Sequence, residues 1–186
     1  MEPQNQLALQ TLLDKEAIRD CLLRYCRGVD RADEALLRSA YWPDAHDRHG
    51  AYVGSVEGFI AQVMPHLRAG GRGIHQITNC MIELHGRLAA VETSFFALQT
   101  TATAPEHATF LCGRYLDRFE QRDGEWRVAD RTVVYDWIEE RTRAELAQDD
   151  AHLFGRRQPT GTRRQNDPLH AFLAEVRARA AADATT

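Results

Sequence analysis

The run Gly73-Ile74-His75-Gln76-Ile77-Thr78-Asn79-Cys80-Met81-Ile82-Glu83-Leu84-His85-Gly86 marks a change of period in this chain. Before it, apolar residues recur at three- and four-residue steps; within it they alternate, so the chain passes here from helix into sheet. Upstream, residues 7 to 29 set Leu9, Leu12, Leu13, Ile18, Cys21, Leu22, Tyr25 and Val29 on one helical stripe, which Gly28 weakens. Asp33 is placed to cap a short second helix through Ala40, ended by Pro43. Ser55 caps a third, Val56 to about Leu67, with Glu57 in the first turn where the helix dipole favours an anion. Pro65 distorts its last turn and Gly70-Gly71 stops it.

Downstream, His85-Gly86 turns into a β-rich run from Leu88 to Thr103, and a further strand spans Phe110 to Gln121. Asp123-Gly124 is the sharpest hairpin signal and leads into the run from Glu125 to Trp137. Helices first and an antiparallel meander after them predict an α+β fold with the helices on one face of the sheet. Beyond Trp137 the composition shifts. Glu139 to Gln148 reads as a polar helix, residues 154 to 168 as a loop rich in arginine and turn formers, and Leu169 to Ala181 as a last helix. That helix carries Leu169, Phe172, Leu173 and Val176 on one side, and the tail is expected to fold over a pocket, to reach a neighbouring subunit, or to stand in solvent.

At 186 residues the chain fits one domain, large enough to bury about 70% of its unfolded surface without a metal or disulfide staple. A formal charge of -4 argues against a nucleic-acid partner, whose affinity comes from clustered cations. The N-terminus lacks a signal-peptide pattern and no apolar run is long enough to span a bilayer, so we expect a cytoplasmic protein without a membrane partner. Cys21, Cys26, Cys80 and Cys112 show no C-x-x-C pairing and read as small buried hydrophobes. His46 and His49 lie three apart on a strand and face opposite sides, which speaks against a shared metal ion; we expect neither metal nor cofactor. There is no phosphate-binding glycine loop, G-x-S-x-G or dinucleotide fingerprint.

Alternation places His75, Ile77, Asn79 and Met81 on one face of the first long strand. A histidine buried there is kept neutral by its surroundings, the form a general base needs. Asp30 is the candidate partner. A carboxylate at the end of a helix opposes the dipole, and Asp33 fills the capping role better, so Asp30 is free to orient an imidazole. Alternation also sets Arg131 beside Val133, Tyr135 and Trp137, where a cation can stabilise developing negative charge or pair with a carboxylate. Trp42, Phe59, Phe95, Phe96 and Phe110 read as core, some of them lining any cavity.

Several segments together carry a resemblance: residues 24 to 33, Tyr41-Trp-Pro-Asp-Ala, residues 73 to 79, Gly113-Arg-Tyr-Leu-Asp-Arg-Phe, Gly124-Glu-Trp-Arg-Val, Arg131 and Asp136-Trp137. In this order, over residues 8 to 138, the chain resembles the SnoaL-like domain of the nuclear-transport-factor-2-like superfamily. The resemblance implies a cone-shaped barrel, a curved mixed and mainly antiparallel sheet with N-terminal helices on its concave face. It divides the chain into a domain over 1–138 and a C-terminal extension over 139–186. In the scytalone-dehydratase-like and dehydrochlorinase branches a histidine at the start of a long strand pairs with an aspartate ending the first helix, positions that fall on His75 and Asp30. Arg131 corresponds to a dehydrochlorinase arginine. Where the dehydratases carry two tyrosines, this chain has Val29 and His49, so Tyr25, Tyr41 or His49 is expected to supply another polar contact, with Asn79, Trp42 and Phe59 completing substrate binding. The implied activity is a cofactor-independent, dehydratase-like lyase acting on a small hydrophobic, aromatic substrate. Elimination of halide or formaldehyde, an isomerase, and a non-catalytic small subunit of a ring-hydroxylating dioxygenase stay open. A homodimer or homotrimer is implied by resemblance alone.

Overall fold

The computed structural model describes residues 2–100, 107–142, 159, 161–162 and 166–183. Helix α1 spans Pro3–Arg31, and its buried stripe of Ile18, Cys21, Leu22, Tyr25, Cys26 and Val29 follows three- and four-residue steps. The first turns differ from expectation: Leu7, Leu9, Leu12 and Leu13 are exposed, so only the second half of α1 packs on the core. Helix α1 continues through Gly28 to Arg31. A Cβ there would lie 2.7 Å from the backbone nitrogen of Leu37, so the glycine lets α1 lie close against α2 (Glu34–Ser39). Left-handed Ala32 closes α1, and the Asp33 side chain caps α2 by accepting from the Leu36 amide at 3.0 Å.

Strands β1 (Tyr41–His49) and β2 (Tyr52–Ser55) come before α3 (Val56–Ala69), whose Ser55 cap accepts from the Gly58 amide. The meander follows: β3 (Gly73–His85), β4 (Leu88–Thr100), β5 (His107–Arg122) and β6 (Glu125–Thr142). Asp123 and Gly124 both have positive φ, as the hairpin between β5 and β6 requires. The six strands form one open curved sheet in the order β2-β1-β6-β5-β4-β3, with β1 and β6 parallel and every other pair antiparallel. The cone is therefore an α+β half-barrel closed by helices: α1 lies against β3 and β6, and α3 against β1 and β2. No described helix is long and apolar enough to cross a membrane.

Two irregularities change which side chains face inward. Between Ile77 and Cys80, β3 takes three steps where β4 takes two, from Phe95 to Thr93. The extra residue reverses the alternation, so Cys80 and Ile82 point inward while Asn79 and Met81 turn out. A second bulge at Asp136 puts Trp137 on the outer face, 62% exposed, although Arg131, Val133 and Tyr135 stay on the inner one. The convex face thus carries neighbouring rows of apolar side chains, Ile74-Leu98-Phe110 and Phe96-Cys112-Trp137. Glu139 to Thr142, expected in a helix, continue β6; residues 143–148 lie outside the described residues, as does most of the 154–168 loop. The last helix, α4, spans Pro168–Asp183. Buried Asp167 ties its start to α1 through Arg31 Nε at 3.3 Å, while Phe172 and Val176 stay exposed.

At the centre of the inner face, Asp47, Arg131 and Asp117 form one cross-strand row on β1, β6 and β5. Arg131 is fully buried and grips Asp117 with two bonds of 2.7 Å, from Nε and Nη2. Its Cζ lies 4.1 Å from the Tyr25 ring centroid and 4.2 Å from that of Tyr115, so aromatic faces cover the cation.

Asp117→Asn is expected to destabilise by about 3–5 kcal/mol in denaturant titrations, because Arg131 is left uncompensated, and Arg131→Met added to Asp117→Leu to recover most of that loss. Gly28→Ala, favourable by helix propensity, is expected instead to cost about 1–3 kcal/mol through the clash with Leu37.

Candidate active site

A cavity of about 460 Å³ lies between the helices and the concave face. Val29, Phe59, Val63, Phe95 and Leu111 make its walls apolar, and His75, His49, Gln62 and Gln99 supply polar groups. No lysine or arginine is among the described residues lining it.

His75 and Asp30 meet at this cavity. The last turn of α1 carries Asp30 to the start of β3, where its Oδ1 lies 2.6 Å from His75 Nδ1 and its Oδ2 accepts the His75 backbone N–H at 3.0 Å. One carboxylate therefore fixes both ring and main chain. Their side chains are only 6% and 13% exposed. An Nδ1–H donated to Asp30 leaves Nε2 as the free lone pair, and the Gln99 side-chain amide approaches that nitrogen at 3.4 Å. The register partner of His75 is Ala97, whose small side chain leaves room beside the ring.

The remaining expected site residues divide. Tyr25 and Phe59 line the cavity, and burial pushes the Tyr25 phenol above its ordinary range. His49 lines it too, its ring stacked on Phe59 at 4.9 Å, with Nδ1 3.5 Å from Oδ1 of Asp47. Tyr41 does not reach it: the residue is buried beneath Tyr25 and donates its hydroxyl to Asp47 Oδ2 at 2.7 Å. Trp42 lies elsewhere, with its indole N–H on the Glu120 carbonyl and its ring between Arg122 and Arg127. Asn79 is turned out by the bulge. Arg131 is sealed behind Tyr25 and Tyr115 with its fork spent on Asp117, so it is a structural cation rather than a group that meets substrate. Among the described residues no three potential ligands gather as a metal site, and His46 and His49 point apart.

Gln99, Tyr115 and Tyr135 also line the cavity and were not singled out by the sequence. Tyr115 and Tyr135 share the inward alternation of Asp117 and Arg131, which is the signal that could have found them. Cys21 and Cys26 are buried in α1, where burial raises their thiols to about 11 and about 12, far from thiolate chemistry at neutral pH.

No curated protein matches the sequence significantly. Among solved structures, the hexachlorocyclohexane dehydrochlorinase LinA-type3 from Novosphingobium barchaimii is 20% identical, with 72% of this chain and 93% of that one covered at a TM-score of 0.64. A candidate scytalone dehydratase from Novosphingobium aromaticivorans is 16% identical, covering 69% and 88% at 0.63. The beta subunit of a candidate aromatic-ring-hydroxylating dioxygenase from the same organism is 22% identical, covering 69% and 93% at 0.55. At such identities the likeness is one of fold, the nuclear-transport-factor-2-like fold, shared by enzymes and non-catalytic subunits alike. The family described as SnoaL-like domain matches residues 10–132, two thirds of the sequence, and the chain belongs to that family.

Proposed function

We propose that this chain is a lyase that eliminates a leaving group from a small, neutral, hydrophobic ring compound by proton abstraction at His75. The observation that supports it is the pair of hydrogen bonds that Asp30 makes to the ring and the backbone of His75 at the wall of an apolar cavity. His75 Nε2 takes a proton from carbon next to an activating carbonyl, and Asp30 stabilises the imidazolium that forms. The neighbouring bond to the leaving group then breaks and a double bond results. Nothing is oxidised or reduced in the step, so a redox cofactor has no part to play. Water is the first choice of leaving group; halide would leave by the same step, and formaldehyde would leave if His75 took the hydroxyl proton of a hydroxymethyl group, the C–C electron pair passing to the carbonyl. A cavity with no lysine or arginine among its described lining residues suits an uncharged substrate, and its aromatic walls suit a ring.

A homodimer or homotrimer, if formed, would have the exposed rows around Phe96 and Trp137 as its apolar contact. Light scattering is expected to give a mass of two or three chains, and Phe96→Glu with Trp137→Glu to return it to one.

The β-hydroxy ketone formed from benzaldehyde and acetone is a probe of suitable size; its elimination gives benzylideneacetone, which absorbs in the near ultraviolet. His75→Ala is expected to lower kcat/KM by about two to four orders of magnitude with the circular dichroism unchanged. Asp30→Asn should fall in the same range, because the imidazole loses the group that fixes its tautomer. Wild-type-like turnover by His75→Ala would end the proposal.

A further inference from the structure

The cavity holds a second imidazole backed by a second buried carboxylate, on the opposite flank of the sheet. His75 belongs to the edge strand β3, and His49 to β1, with β6, β5 and β4 between them. Asp47 is fully buried. Tyr41 satisfies its Oδ2, while Oδ1 is sealed from solvent without a hydrogen-bond partner. His49 Nδ1 is likewise sealed and unpartnered, and these two orphan atoms lie 3.5 Å apart. A shift of a few tenths of an ångström would close a charge-assisted bond, and leaving both open costs about 1–3 kcal/mol for each buried group. With Nδ1 sealed and the side chain 26% exposed, Nε2 is the ring nitrogen left for the cavity.

Charge points the same way. The buried row holds two carboxylates, Asp47 and Asp117, and one guanidinium, and Arg131 gives Nε and Nη2 to Asp117 while its Nη1 is sealed without a hydrogen-bond partner. Among the described residues no lysine or arginine forms an ion pair with Asp47, and the basic nitrogen nearest its open Oδ1 is His49 Nδ1 at 3.5 Å. The other proton donors at the cavity are poorer. Burial pushes the phenols of Tyr25, Tyr115 and Tyr135 upward, and His66 sits on exposed helix surface with Nδ1 on the Gln62 carbonyl and no carboxylate behind it.

We infer that His49, held by the positioning residue Asp47, is the general acid that protonates the leaving oxygen while His75 removes the proton from carbon. This rests on the elimination reading above. In the step, His75 Nε2 accepts the carbon-bound proton, the C–H electron pair becomes the new double bond, and the adjacent C–O bond breaks. The departing oxygen takes the Nε2 proton of His49 and leaves as water. One proton enters the enzyme at His75 and one leaves at His49, so its total charge is unchanged and solvent resets the two imidazoles. Hydroxide is a poor leaving group and needs that proton; chloride does not.

The test compares the benzaldehyde–acetone β-hydroxy ketone with its β-chloro counterpart, both giving benzylideneacetone, after subtraction of spontaneous elimination. His49→Gln is expected to lower kcat for the hydroxy ketone by about 10²–10³-fold and for the chloro ketone by less than about threefold. Asp47→Asn should show the same selectivity with a smaller loss, which a merely structural carboxylate would not produce. His75→Ala should depress both reactions. His49→Phe, which keeps the stack on Phe59, replaces His49→Gln if circular dichroism shows loss of fold. Equal losses on both ketones, or none, with His75→Ala still inactive, would overturn the acid role and leave the base intact. Indifference of both reactions to His75→Ala, or no wild-type turnover of either ketone, would overturn the elimination reading itself.

Discussion

The carboxylate of Asp30 fastens the end of α1 to the start of β3, and the cavity exists because of that junction. An acid in the last helical turn works against the helix dipole by about 0.3–1 kcal/mol. Two bonds from His75, one of them charge-assisted, contribute about 1.5–3 kcal/mol and outweigh that penalty. With α1 pinned at this end and closed against α2 at Gly28, its buried stripe crosses the concave sheet at one place, and α3 covers the other flank. Space remains between them where the register partner of His75 is only alanine.

The polar row beneath the cavity has a different task. Arg131, paired with Asp117 and covered by Tyr25 and Tyr115, makes the floor rigid and keeps its charge out of reach. A free guanidinium in the wall would select anions; a sealed one leaves an aromatic surface with imidazoles at its edges. The same fold in related proteins serves enzymes and partner subunits, so what this chain does depends on these few groups rather than on the architecture.

Much of this was legible from residue pattern. The switch of period at Gly73, the caps at Asp33 and Ser55 and the Asp123-Gly124 hairpin are local signals with local causes, and each falls where the pattern places it. The pairing of His75 with Asp30 has a local sign too, a carboxylate set against its helix dipole, beside the family resemblance. Two expected inward faces changed at bulges. One added residue in β3 and another in β6 reversed the alternation that had put Asn79 and Trp137 on the inner face, and nothing in the local sequence announces such an insertion.

The sequence by itself determined the elements, their order and the residue types available for proton transfer, because these depend on backbone preferences and period within a few residues. The tertiary structure alone decided which groups meet: that Arg131 binds Asp117 instead of facing the cavity, that Tyr41 is buried beneath Tyr25, and that Trp42 and Asn79 stay outside. These outcomes depend on strand register, on the parallel pairing of β1 with β6 and on sheet curvature, which join residues far apart in the chain and are settled by burial across the whole fold.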